Sequence, residues 1–162
     1  MKKSEFKLNT TPESKMLIFV FRLGESTQKI KIPIIGKAIR LFVKVLNFAF
    51  IKMGLNTDIP ATVRIGDNVN FQHPFGIVIH PRVVIGENAV IRQQVTIGGK
   101  SVGRTELIPK IGNNVEIGAG AKIIGDISIG NNVVIGANSV VVKDVPDDDV
   151  VAGVPAKSVK RN

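Results

Sequence analysis

From Asp58 onward, apolar residues in this 162-residue chain return at every sixth position, and that period leaves very few folds open. One row runs Ile59, Ile65, Phe71, Ile77; a second runs Ile79, Ile85, Ile91, Ile97; a third runs Ile111, Ile117, Ile123, Ile129, Ile135, Val141. Gly follows the anchor at 66, 86, 98, 112, 118, 130 and 136, and mostly small or β-branched residues stand four places after it, from Val63 to Val145. A short fixed period marks a stacked solenoid, because one repeat is too small to bury its own apolar face and hides it only against its neighbours. Six residues make one flat face, and three faces make a turn of about 18 residues, the geometry of a parallel β-helix. Gly suits the corners, where the chain bends sharply or takes positive φ. Sandwich strands would instead alternate with period two and irregular turn spacing. Residues 58–146 are thus expected to form an all-β solenoid of roughly four to five coils, each about 4.8 Å above the last.

The register breaks twice. A two-residue slip falls near Gly76 to Val78, just after His73. The polar stretch Gly99 to Pro109 (GKSVGRTELIP) stands where anchors are due, so loop 99–109 is expected to leave the solenoid. Charge divides the chain as well: residues 1–57 hold 11 Lys and Arg against three Glu, whereas residues 58–162 hold 11 against 10 acidic residues. From Pro33 to Met53, Lys37, Arg40, Lys44 and Asn47 recur at helical spacing, which predicts a helix with one basic stripe on an otherwise apolar cylinder. Segment 1–57 is therefore read as a short, basic, amphipathic α-helical part. Such a helix can rest on an anionic membrane surface, or it can pack its apolar face on the solenoid or on a neighbouring copy. Its aromatics are Phe within an apolar run and no recognition motif accompanies the charge, so no nucleic acid partner is expected.

Cysteine is absent, which removes disulfides, thiolate metal sites and any acyl-cysteine intermediate. With only two histidines, a three-histidine metal centre is ruled out and no metal is expected. The apolar run Met16 to Phe21 is too short for a signal-peptide core or a membrane span. A cytoplasmic setting follows as the expectation, with the inner face of the membrane left open by the basic helix.

The segments DIPATVRIG from Asp58, HPFGIVI from His73, VTIGG from Val95, PKIGNNVEIGAGAKIIG from Pro109 and AGVPAK from Ala152 resemble the serine acetyltransferase branch of the hexapeptide-repeat acyltransferases. The resemblance implies a left-handed parallel β-helix and acetyl transfer from acetyl-CoA to a hydroxyl. It also implies a homotrimer with active sites between neighbouring solenoids. The family's catalytic His and the Asp fifteen residues earlier correspond to His73 and Asp58. Its coenzyme contacts correspond to Gly98, Gly99, Ala119 and Ala137, and to Ala152, Gly153 and Lys157 of the C-terminal tail 147–162.

The chemistry suits those residue types. An alcohol attacks a thioester poorly unless a positioned base takes its proton, and a neutral imidazole can do so near neutral pH. A carboxylate on the other ring nitrogen would fix the tautomer and stabilise the imidazolium. Without cysteine, direct transfer is favoured over a covalent route. An amide near Gly98 and Gly99 could hold the oxyanion.

Other positions depart from the branch. Leu107 and Ile108 stand where those enzymes carry an Arg-His pair assigned to the amino-acid acceptor, and Gln72 stands where they carry Asp. Their long N-terminal helical domain is replaced by the differing segment 1–57. A neutral acceptor fits these changes, so the expectation is a sugar hydroxyl in exopolysaccharide or lipopolysaccharide biosynthesis, as in the short colanic-acid acetyltransferases. The alternatives are serine O-acetyltransferase activity in cysteine biosynthesis and a non-catalytic scaffold at a membrane surface. His80 is read as a surface corner, Asp147 to Asp149 as a solvated turn, and Lys160 and Arg161 as C-terminal charges.

Overall fold

The computed structural model describes residues 3–28, 30, 33–102 and 105–159. Strands Arg64–Ile65, Val84–Ile85, Lys110–Ile111 and Ser128–Ile129 stack as a first face. Asn70–Gln72, Val90–Arg92, Glu116–Ile117, Val134–Ile135 and Val150–Ala152 form the second, and Val78–Ile79, Thr96–Gly98, Lys122–Ile124 and Val140–Val141 the third. Within each face the pairing is parallel and sets like on like: Phe71 on Ile91, Ile91 on Ile117, Ile117 on Ile135. The result is the parallel β-helix that the repeat implies, with the left hand that the resemblance implies. All fourteen anchors are at most 6% exposed, and eleven of the positions four places later, Ser139 included, are buried with them, while Phe75, Pro81 and Ser101 at or beside the register breaks are exposed. Burial at roughly 1.5–3 kcal/mol per large aliphatic side chain is what drives the stack together.

Corner glycines 66, 86, 112, 118 and 130 answer to close approach rather than to φ. A Cβ on Gly66 would come within 2.7 Å of the Gly86 backbone one coil above. Positive φ falls two places later instead, on Asn68, Asn88, Asn114 and Asn132. Asn tolerates this conformation better than most side chains. These side chains form a ladder up one corner, with donor–acceptor distances from 3.1 Å between Asn68 and Asn88 to 2.8 Å between Asn132 and Asp148. The rungs are 20, 26, 18 and 16 residues apart along the chain, yet each spans one coil. Asp148 ends the ladder and Asp147 accepts the Asn131 N–H at 2.7 Å, so the acidic run closes a corner rather than forming only a solvated turn.

Both register breaks take definite form. Val78 pairs with Thr96 and its N–H bonds the Val95 carbonyl, so Ile77 stands at the level of Val95 and is not a member of the anchor row in which a six-residue count puts it. The two extra residues lie earlier, in the corner 73–76, where the next coil has only Gln93 and Gln94. The expected loop 99–109 is an antiparallel hairpin of Lys100–Val102 and Thr105–Leu107.

Ahead of the solenoid come α1 (Lys3–Leu8), α2 (Pro12–Thr27) and α3 (Pro33–Leu46), and α3 runs on as a π-helix over Asn47–Met53. The single helix expected from Pro33 to Met53 therefore changes its winding part-way. α2 starts where Thr11 accepts the Ser14 N–H at 3.2 Å, with Pro12 in the first turn. Its Leu17, Ile18, Val20 and Phe21 join the same core as Ile59, Val63, Ile65, Val69 and Phe71. α2 thus covers the open end of the first coil.

Three polar side chains complete that cover. Arg22 donates to the carbonyls of Ile65 and Gly66 at 2.9 and 2.6 Å and pairs with Glu5 at 2.6 Å. Glu5 accepts the Val69 N–H, and Asn9 both donates to the Val69 carbonyl and accepts the Phe71 N–H. Backbone groups with no coil beneath them are paired in this way. Burial pulls the Arg22 pKa down, but hydrogen bonds to Glu5 and Glu25 outweigh it and hold the guanidinium above its usual value.

α3 packs on α2 and buries Gly36 and Val43, with Arg40 and Asn47 half-buried. Gly24 lets α2 approach the first coil, since a Cβ there would lie 2.9 Å from the Ala61 Cβ, whereas Val43 of α3 would be in ordinary contact at 3.6 Å. The expected stripe is therefore split. Arg40 and Asn47 turn inward, Lys37 and Lys44 stay exposed at the margin, and the apolar face points away from the solenoid.

Candidate active site

His73 opens the enlarged corner between the second and third faces. Its backbone is left-handed, with φ of +52°, and its side chain is exposed. A histidine in that region is uncommon, and such outliers are held by their surroundings. Here the hold comes from Thr57, whose hydroxyl donates to the Pro74 carbonyl at 2.8 Å and accepts the Ile77 N–H at 3.2 Å, and from the Gly76 N–H on the Leu55 carbonyl.

Asp58 lies one coil below on the third face. It bridges Val78, donating its N–H to Ile77 at 2.7 Å and accepting from Ile79 at 2.9 Å. The two residues are therefore brought to the same end of the same coil pair. Among the described residues, however, no hydrogen bond joins the His73 ring to Asp58. The carboxylate is held by Lys52 of the π-helix at 2.9 Å, with both side chains close to half exposed. Beside Asp58, between α2, the π-helix and the first coil, lies a cleft of about 510 Å³ lined by Phe21, Val43, Phe48 and Lys52 among others.

The remaining candidate residues border the third face. By register, His73, Gln93, Ala119 and Ala137 occupy one corner in successive coils, and Ala152 and Gly153 reach the same corner above them. Gly153 has φ of +99° and bonds Ser139 and Val140. Lys157 pairs antiparallel with Ala152 and is exposed. Gly98 and Gly99 stand at the opposite edge of the face, where the hairpin begins. A Cβ on Gly98 would make only an ordinary contact with Ile124 at 3.5 Å, whereas one on Gly99 would collide with Ile108 at 2.5 Å. Packing thus accounts for Gly99 but does not demand Gly98.

Ile108 packs against the core, and Gln72 accepts from Arg92 at 3.1 Å, which in turn pairs with Glu116. His80 sits half-buried at the corner between the third and first faces and accepts the Arg82 N–H at 3.3 Å. Lys160 and Arg161 lie outside the described residues. Among the described residues, no three His, Cys, Asp or Glu are grouped to hold a metal. Sequence reasoning missed Lys52 as the partner of Asp58, because nothing in a repeat pattern indicates which side chain a preceding helix will deliver. It also missed the left-handed backbone at His73, which the two surplus residues could have signalled.

Known proteins resemble this chain along the same lines. Residues 108–143 match the family model described as bacterial transferase hexapeptide (six repeats). A serine acetyltransferase of Staphylococcus aureus is 44% identical over 99 residues, 61% of this chain and 46% of that protein. The chain spans less than half the length of the curated relatives it matches. The soybean serine acetyltransferase apoenzyme superposes with a TM-score of 0.76 at 32% identity, covering 92% of this chain and 58% of that one. A serine acetyltransferase solved in complex with CoA gives 0.75 at 33% identity over 93% and 58%. Those shares exceed what the solenoid alone supplies, so part of segment 1–57 also has counterparts there, contrary to the expectation that it differs in character. With its six-residue period and its three stacked faces, the solenoid is similar to those of the hexapeptide-repeat transferases, and among them to the serine acetyltransferases.

Proposed function

We propose that this protein is an O-acetyltransferase that moves an acetyl group from acetyl-CoA, as donor substrate, to a hydroxyl. What carries the reading is His73, an exposed imidazole held on a left-handed backbone beside the strand bridge of Asp58. The imidazole takes the proton of the acceptor hydroxyl as its oxygen attacks the thioester carbonyl carbon. The tetrahedral intermediate then collapses, the carbon–sulfur bond breaks, and the coenzyme thiolate leaves with the proton returned from the imidazolium. Asp58 acts as the positioning carboxylate, released from Lys52 or shared with it. Gly98, Gly99, Ala119, Ala137, Ala152, Gly153 and Lys157 line the course assigned to the coenzyme, and the freedom for a Cβ at Gly98 supports a ligand-based reason for that glycine. The exposed ring also suits a site completed by a neighbouring solenoid in a homotrimer, which a sedimentation mass of three chains checks. A cytoplasmic setting goes with this donor.

L-Serine is the acceptor backed by the relatives, since those named are serine acetyltransferases. A neutral sugar hydroxyl is the second reading, favoured by one local observation. The positions that would pair with an amino-acid carboxylate hold Leu107 and a core-packed Ile108. Release of free coenzyme A, measured with L-serine and with a panel of neutral sugars, separates the two. His73→Ala is expected to lower kcat with either acceptor by at least about a hundredfold. Unchanged turnover in that variant, or no acetyl-CoA binding by calorimetry, sinks the catalytic reading and leaves a scaffold.

A further inference from the structure

We propose that α3 and its π-helical continuation are an interfacial anchor that lies along an anionic lipid bilayer. Between Ser26 and Thr57 the chain carries six Lys and Arg and no Asp or Glu. Ile34, Ile35, Leu41, Phe42 and Val45 are all exposed to solvent, with Leu41 64% and Phe42 60% exposed. Lys37 and Lys44 are exposed along one margin of that face. A continuous apolar face of this kind marks a contact site rather than an ordinary surface. An apolar face flanked by cations suits the boundary between headgroups and acyl chains, because the ammonium groups can reach lipid phosphates while their stems stay apolar. Each cation near an anionic surface adds to the attraction.

A second copy of this chain is a poorer occupant. Pairing the same faces would bring cations together, and this stretch offers no carboxylate to receive them. Among the described residues no helix is long and apolar enough to cross a membrane, so the contact runs along the bilayer. The inference goes beyond acetyl transfer and stands without it.

Flotation of the full chain with phosphatidylcholine vesicles, with and without about a third phosphatidylglycerol, tests it. Binding is expected to the anionic vesicles and to weaken with salt. L41S/F42S is expected to lower the partition by at least about tenfold through lost apolar burial. K37Q/K44Q is expected to lower it by about thirtyfold, from about 1 kcal/mol per lost charge. Far-UV circular dichroism and sedimentation mass are followed for each variant to show that the fold is kept. Absence of binding to anionic vesicles overturns the proposal, as does equal binding by both folded variants. A change of oligomer mass in L41S/F42S also overturns it, because a second copy would then be the occupant. No acetyl donor enters the measurement, so its outcome is independent of the acetyl-transfer reading.

Discussion

In the solenoid the anchors stack on apolar neighbours in the next coil, Phe71 on Ile91 and Val141 on Ile123 at the ends, and burial is shared through the stack. In the helical segment burial is uneven: α2 sinks Leu17, Ile18, Val20 and Phe21 into the core and the π-helix adds Ile51, while α3 buries Val43 but leaves Leu41, Phe42 and Val45 in solvent. Apolar content is therefore a poor guide to packing in the second region and a good one in the first. A repeat specifies the partner of each residue in advance, whereas a single helix is oriented by whatever it meets.

The sharpest test of that contrast lies where the regions join. Arg22→Ala would strand the Glu5 carboxylate in a buried place and free the Ile65 and Gly66 carbonyls, so it is expected to cost about 3–5 kcal/mol in urea unfolding. A loss under about 1 kcal/mol would mean that the helices sit on the solenoid without bracing it. Next in size is Ile117→Ala, in the middle of the second face, with an expected loss of about 3 kcal/mol from the cavity. Should unfolding become biphasic in that variant, the coils would be behaving as separable repeats rather than one unit. The smallest effect is expected from L41S/F42S in free solution, within about 0.5 kcal/mol by thermal unfolding. A larger loss would show that the outward face of α3 is covered within the protein's own assembly.

The solenoid was legible because its period is a physical requirement: a residue six places on must occupy the next face, and the exceptions announce themselves as breaks in count. Ile77 shows the limit of counting, since the two surplus residues at 73–76 let a wrong row look regular. The asparagine ladder went unread because no apolar pattern reveals a left-handed backbone, although Asn recurs two places after Gly at 66, 86, 112 and 130. α2 could have been found from Thr11, Pro12 and Glu13, a capping residue followed by an acidic first turn. The direction in which α3 faces could not, because it is set by the packing of α3 on α2, a contact between separate elements. At the candidate site, residue types and their spacing were visible in His73 and Asp58. The hold of Lys52 on Asp58 is a contact between distant elements and leaves no mark in local sequence.

A column of parallel coils has two raw ends, and nothing in its repeat forbids one molecule from continuing the column of another. The hydrogen bonds that Glu5, Asn9 and Arg22 make to the first coil occupy the groups an incoming strand would need, and the antiparallel strand Lys157–Ser158 lies against the last one. The elements on either side of the coils thus act as stops against filament growth, the hazard that exposed strand edges otherwise carry.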